Sequence, residues 1–175
     1  TCNALLSIGA NAYLEIIAPH PGADAARLNP QLKALFTDPL ANMKTLTPYL
    51  WAVGCADLDA TVTRLGERDI HLTEPATGAR QKPDGQLLEW RASFIKRPEF
   101  PGAPFFIEWA DPSIAPPSDS PRGCLLEDFS IAGPEAGLLE TVTQTLDLNT
   151  RVNHAPKSSI KICLNTPKGE IHLPS

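Results

Sequence analysis

One pattern occurs twice in this chain: an apolar strand carrying a single glutamate, with a proline four residues further on. The copies are Tyr13-Leu14-Glu15-Ile16-Ile17-Ala18-Pro19 and Phe106-Ile107-Glu108-Trp109-Ala110-Asp111-Pro112. Side chains alternate along a strand, so Glu15 shares a face with Tyr13 and Ile17, and Glu108 shares one with Phe106 and Ala110. A carboxylate in such a strand must face water, a partner or a metal. Its recurrence at equivalent points predicts an internal duplication with one acidic group per copy.

The segments between the copies supply the rest of a repeat. Asn3 to Ile8, the turn Gly9-Ala10-Asn11 and the strand Ala12 to Ala18 read as a hairpin. Pro19 to Pro48 is a long connector with a short helix predicted at Pro30 to Phe36. Leu50 to Cys55 reads as a strand, and Asp57 caps a helix running to about Asp69, with Leu58, Val62 and Leu65 at helical spacing. The turn Pro83-Asp84-Gly85 implies a strand before it and another from Leu87 to Ile95. Leu88, Trp90, Ala92 and Phe94 form one apolar face of the latter; Glu89, Arg91 and Ser93 form the other. Trp90 and Trp109 are expected as core under the helices.

Asp111 to Arg122 reads as an extended linker rich in proline and serine. A strand from Cys124 to Ile131, a helix from Pro134 to Leu148 and a hairpin of Ser159 to Leu164 with Glu170 to Leu173 complete the chain. Laid side by side, these segments give a βαβββ period whose first copy lacks its opening strand and helix. The fold class is α+β, with repeated βαβββ modules forming a curved mixed sheet and helices on the outer face. Residues 1–112 hold the incomplete and complete modules, 113–123 the linker, and 124–175 a further strand–helix–hairpin unit of the same repeat within one domain.

Charge and cysteine usage narrow the function. A net charge of -5 argues against nucleic acid, because phosphate binding needs a basic face. No apolar run approaches a membrane span. Cys2, Cys55, Cys124 and Cys163 are widely spaced and read as reduced structural thiols of a cytoplasmic protein. His20, His71, His154 and His172 show no ligand spacing. Phosphate-binding glycine loops, nucleophile elbows and zinc-protease helices are absent from the sequence.

The order and spacing of these segments resemble the glyoxalase-like domain proteins of the vicinal oxygen chelate superfamily. The likeness is carried by Thr1-Cys2-Asn3-Ala4-Leu5-Leu6-Ser7-Ile8-Gly9 with the Glu15 strand, by Cys55-Ala56-Asp57-Leu58-Asp59-Ala60, by Lys82-Pro83-Asp84-Gly85 with Trp90-Arg91, and by Phe106-Ile107-Glu108-Trp109. It covers most of the first two thirds of the chain. The resemblance implies paired modules curling into a cup that holds a small ligand. It places Glu15 and Glu108 at the two last-strand ligand positions of metal-using members, and Leu50 at a third, where leucine offers no donor. No cofactor is assigned; a divalent metal would need a ligand from the missing N-terminal strand.

Within such a cup, Glu15 and Glu108 are the candidate catalytic bases, since confined carboxylates raise each other's pKa. Arg91 is the candidate anchor for a substrate carboxylate or phosphate, with a structural ion pair to Glu108 as its alternative. Asn3 and Ser7, on one face of the opening strand, are candidate substrate-binding residues, as are Tyr13 and Phe106 on the glutamate strands. Two functions are expected. One is a lyase or isomerase acting on a small carbonyl- or carboxylate-containing molecule; the other is a non-catalytic binder that has lost the metal. The chain starts inside a strand, so the bare edge is expected to be filled by upstream residues or by a second copy in a homodimer.

Overall fold

The hairpin at the start forms as its turn chemistry predicts. In this computed structural model, which describes residues 2–19, 22, 38–82, 84–96 and 102–173, β1 (Cys2–Gly9) and β2 (Ala12–Ala18) pair antiparallel. The register sets Leu5 opposite Glu15 and Ser7 opposite Tyr13, with an irregularity between Ser7 and Gly9. A short helix, α1 (Asp38–Asn42), follows and buries Leu40. The helix predicted at Pro30 to Phe36 lies outside the described residues.

The complete module comes next: β3 (Ala52–Gly54), α2 (Leu58–Gly66), β4 (Ala76–Gln81), β5 (Leu87–Phe94) and β6 (Phe105–Trp109). Asp57 starts α2 from extended backbone, its carboxylate accepting the Ala60 N–H at 2.9 Å, as an N-cap does. The strands lie in the order β3-β6-β5-β4, with β3 parallel to β6 and the other pairs antiparallel. First and last strands of the βαβββ unit are therefore neighbours. Leu58 and Leu65 of α2 are fully buried with Phe106 of β6, alongside Val53, Ile70, Leu72 and Ile95.

The segment expected as an extended linker contains a helical turn, α3 (Pro116–Asp119). Proline at the first helical position is preset for the helix, and Ala115 and Pro116 are buried, which ties the segment down. Ser7 N–H donates to Pro121 O at 2.8 Å, and Lys82 pairs with Asp119 at 2.6 Å.

Beyond it lie β7 (Leu125–Gly133), α4 (Ala136–Thr145), β8 (Arg151–His154), β9 (Ser159–Thr166) and β10 (Gly169–Leu173). Their order is β10-β9-β7-β8, with β8 parallel to β7. This unit pairs its first strand with its second, whereas the preceding module pairs its first with its fourth. Val142 of α4 joins the core beneath α2, and Trp51 packs on Phe129 of β7 at 5.5 Å between centroids. The described residues thus form a mixed α+β fold of ten strands and four helices.

Candidate functional site

Strand alternation and one helix decide what each face of the central sheet can do. Between β5 and β6, Trp90 faces Trp109, Ala92 faces Ile107 and Phe94 faces Phe105; the intervening pairs are Arg91 with Glu108 and Ser93 with Phe106. Phe106 is 0% exposed in the core with α2, so Arg91 and Glu108 lie on the helix side. The four rings lie on the other side. Trp90 and Trp109 meet edge-on at 5.7 Å, and Phe94 and Phe105 stack at 5.5 Å, the favoured geometries for aromatic pairs. All four are half-buried. The two tryptophans are therefore not core under the helices as expected; the helix covers the face of Phe106, and alternation sends Trp109 the other way.

On β4, Gly78 pairs with Trp90. A Cβ there would fall 2.6 Å from the indole nitrogen, so glycine lets the ring lie flat against the neighbouring strand.

Glu108 is a brace rather than one half of a shared cup. Its Oε2 accepts the Leu58 N–H at 3.2 Å and lies 3.4 Å from Arg91 Nη1. The first N–H groups of a helix have no partner within it, and a carboxylate there also meets the positive end of the helix dipole. Arg91 completes the arrangement with a two-pronged pair to Asp59 at 2.7 and 3.0 Å, which holds the Asp59 carboxyl below its usual range. Phe106, expected to contact substrate, is inaccessible. Arg91, expected as an anion anchor, is engaged by two carboxylates on the helix side.

Glu15 lies on the other side. Asn3 Nδ2 donates to Glu15 Oε1 at 2.6 Å, and Arg80 Nη1 donates to Asn3 Oδ1 at 3.0 Å. Arg80 pairs with Leu88, two positions from the Gly78–Trp90 pair, so it shares the face that carries the rings. The hairpin's polar face and the ring-bearing face meet there. Tyr13 lies in the same cluster, and burial followed by the Glu15 charge pushes its phenol up to about 12. Ser7 is buried, and its hydroxyl donates to Gly9 O at 3.1 Å, within the turn rather than toward a ligand.

Asn3, Tyr13 and Glu15 come together; Glu108, Arg91 and Phe106 form a separate group across the sheet. Arg80, not among the candidate residues of the sequence, completes the first group. Its alternation with Gly78 was the available signal, but nothing local reveals which face receives the helix. The metal set implied by the resemblance does not fit, because Glu15 and Glu108 lie on opposite sides of the sheet and Leu50 has no donor atom.

A β3-β6-β5-β4 sheet backed by α2, with an aromatic face turned from the helix, defines a glyoxalase-like module of the vicinal oxygen chelate kind. The chain matches the glyoxalase-like domain family over residues 1–147 and belongs to that family. No curated protein matches it in sequence. Among solved structures, a hypothetical protein from Staphylococcus aureus is similar at 13% identity and a TM-score of 0.48, over 61% of this chain and 52% of that one. The chain thus spans about half the length of that protein.

Proposed function

We propose that the protein binds a small apolar molecule bearing a carbonyl or carboxylate on the ring-bearing face, with Arg80 as its anchor. The observation supporting this is the half-buried, edge-on Trp90–Trp109 pair next to Arg80 on the side away from α2, with the Phe94–Phe105 stack further along the same face. Aromatic rings supply apolar contact area at low entropic cost, and a guanidinium fixes an anionic end through paired hydrogen bonds. Glu15 is linked to Arg80 through Asn3, so a lyase or isomerase step would place the base there and leave Glu108 to brace the helix. The separation of the two glutamates favours a binder over an enzyme that needs both. Four free thiols suit a reducing compartment such as the cytoplasm, and the acidic balance suits neither nucleic acid nor an anionic membrane. No helix among the described residues is long and apolar enough to cross a membrane.

The test is a tryptophan-fluorescence titration with an aryl 2-oxo acid and with its neutral ester. The acid should quench saturably, and Arg80→Ala should weaken the acid by about tenfold, the equivalent of roughly 1.4 kcal/mol, while leaving the ester unchanged. Equal effects of Arg80→Ala and Arg91→Ala, or no saturable quenching by any member of a small oxo-acid and aldehyde panel, would overturn the reading.

A further inference from the structure

We propose that the C-terminal hairpin carries a zinc site built from Cys163, Glu170 and His172. The antiparallel register of β9 and β10 sets Cys163 directly opposite His172, and Glu170 stands two residues before His172 on the same face. One donor atom from each side chain, a thiol sulfur, a carboxylate oxygen and an imidazole nitrogen, lies within 4.8 Å of the other two. The histidine Nε2 is 2.8 Å from Glu170 Oε1. Both side chains are exposed, whereas Cys163 is 8% exposed beneath them. An exposed histidine–glutamate pair is common on strands, but it does not require a thiol at its base.

The chemistry of the three donors selects the ion. Thiolate and imidazole disfavour calcium and magnesium, which take oxygen ligands, and favour zinc. Zinc bonds of about 2.0–2.3 Å put tetrahedral ligand atoms roughly 3.3–3.8 Å apart. Rotations of the exposed Glu170 and His172 side chains bring the trio to that spacing, and the hydrogen bond between them opens to admit the cation. Three protein ligands leave the fourth position for water or an incoming ligand. The surroundings carry charge of both signs. Glu127 and Asp128 on β7 face the thiol, Arg151 holds Asp128, and Lys161 borders the same open depression. Bound zinc would pin the edge strand β10 onto β9. Residues 163–172 lie beyond the stretch that matches the glyoxalase-like family, and the trio shares no residue with the ring-bearing face near Arg80.

The experiment uses the full chain, stripped with a chelator, and zinc alone. Competition against a chromophoric chelator should show one saturable equivalent, weakened at least about tenfold by His172→Ala and by Glu170→Gln. Cobalt(II) in place of zinc should give thiolate-to-metal charge-transfer absorption that Cys163→Ser abolishes. Zinc should also raise the melting temperature of the native chain but not of His172→Ala. Because Cys163 is buried, its variant can fail to fold; His172→Ala changes an exposed side chain and keeps the test decisive. Absence of saturable uptake at micromolar zinc, uptake unchanged in His172→Ala, or a thiolate band persisting in folded Cys163→Ser would each overturn the proposal.

Discussion

Tyr13 shows how far a single residue can depart from its solution chemistry. Its phenol is pushed up to about 12, first by burial and then by the Glu15 carboxylate, with Arg80 pulling the other way. The neutral form is therefore favoured in the folded state. The associated stability is fully present below the unfolded value near 10 and is lost as pH rises through the folded value, because between them the unfolded chain has released a proton that the native chain retains. Tyrosinate absorbance should show two steps, since the chain has 2 tyrosines and Tyr49 is raised less strongly, by burial alone. Tyr13→Phe should remove the later step. A single step near the ordinary phenol value in the folded protein would show that Tyr13 is solvated and that the hairpin does not close on Arg80.

At the scale of elements, α2 is set on its sheet by two carboxylates with different origins. Asp57 is local: it caps its own helix, as its position before Leu58, Val62 and Leu65 predicts. Glu108 is distant in sequence and reaches the Leu58 N–H from β6 while pairing with Arg91. Asp57→Ala should cost about 1 kcal/mol of stability. Glu108→Gln should cost roughly 1–2 kcal/mol, since it replaces a charged acceptor that is mostly buried. Denaturant melts read both losses. A glutamate that served as catalytic base would instead leave stability intact and remove turnover, so measuring stability and ligand binding on the same variant separates the two roles. The brace predicts unchanged binding by Glu108→Gln.

For the whole molecule, the contacts between the two four-stranded sheets include both their helices and an aromatic pair. Val142 of α4 lies in one core with Leu58, Leu65 and Phe106, and Trp51 packs on Phe129 across the same junction. Two sheets that share buried side chains should unfold together. Leu65→Ala is expected to destabilise by about 2–5 kcal/mol while keeping one transition, with tryptophan fluorescence and far-ultraviolet circular dichroism superimposing. Separate midpoints for the two probes would mean that the C-terminal unit folds independently and that the shared core contributes little.

The elements legible along the chain are those with local causes. The Asp57 cap, the helical spacing of Leu58, Val62 and Leu65, and the turns at Gly9-Ala10-Asn11, Asp84-Gly85 and Pro167-Lys168-Gly169 each act within a few residues, so the hairpins, α2 and the βαβββ order were legible. β8 was not: Arg151-Val152-Asn153-His154 is mostly polar and becomes a strand by parallel pairing with β7, a contact made across α4. Nor could the faces of β5 and β6 be assigned. Both carry apolar residues, and alternation separates Trp109 from Glu108 without saying which one meets the helix. The tertiary structure decided that by seating α2 on Phe106, which put Glu108 under the helix and left the aromatic strip to the side of Glu15 and Arg80. Local propensity sets where a chain turns and what shares a face; only long-range packing chooses which face is buried.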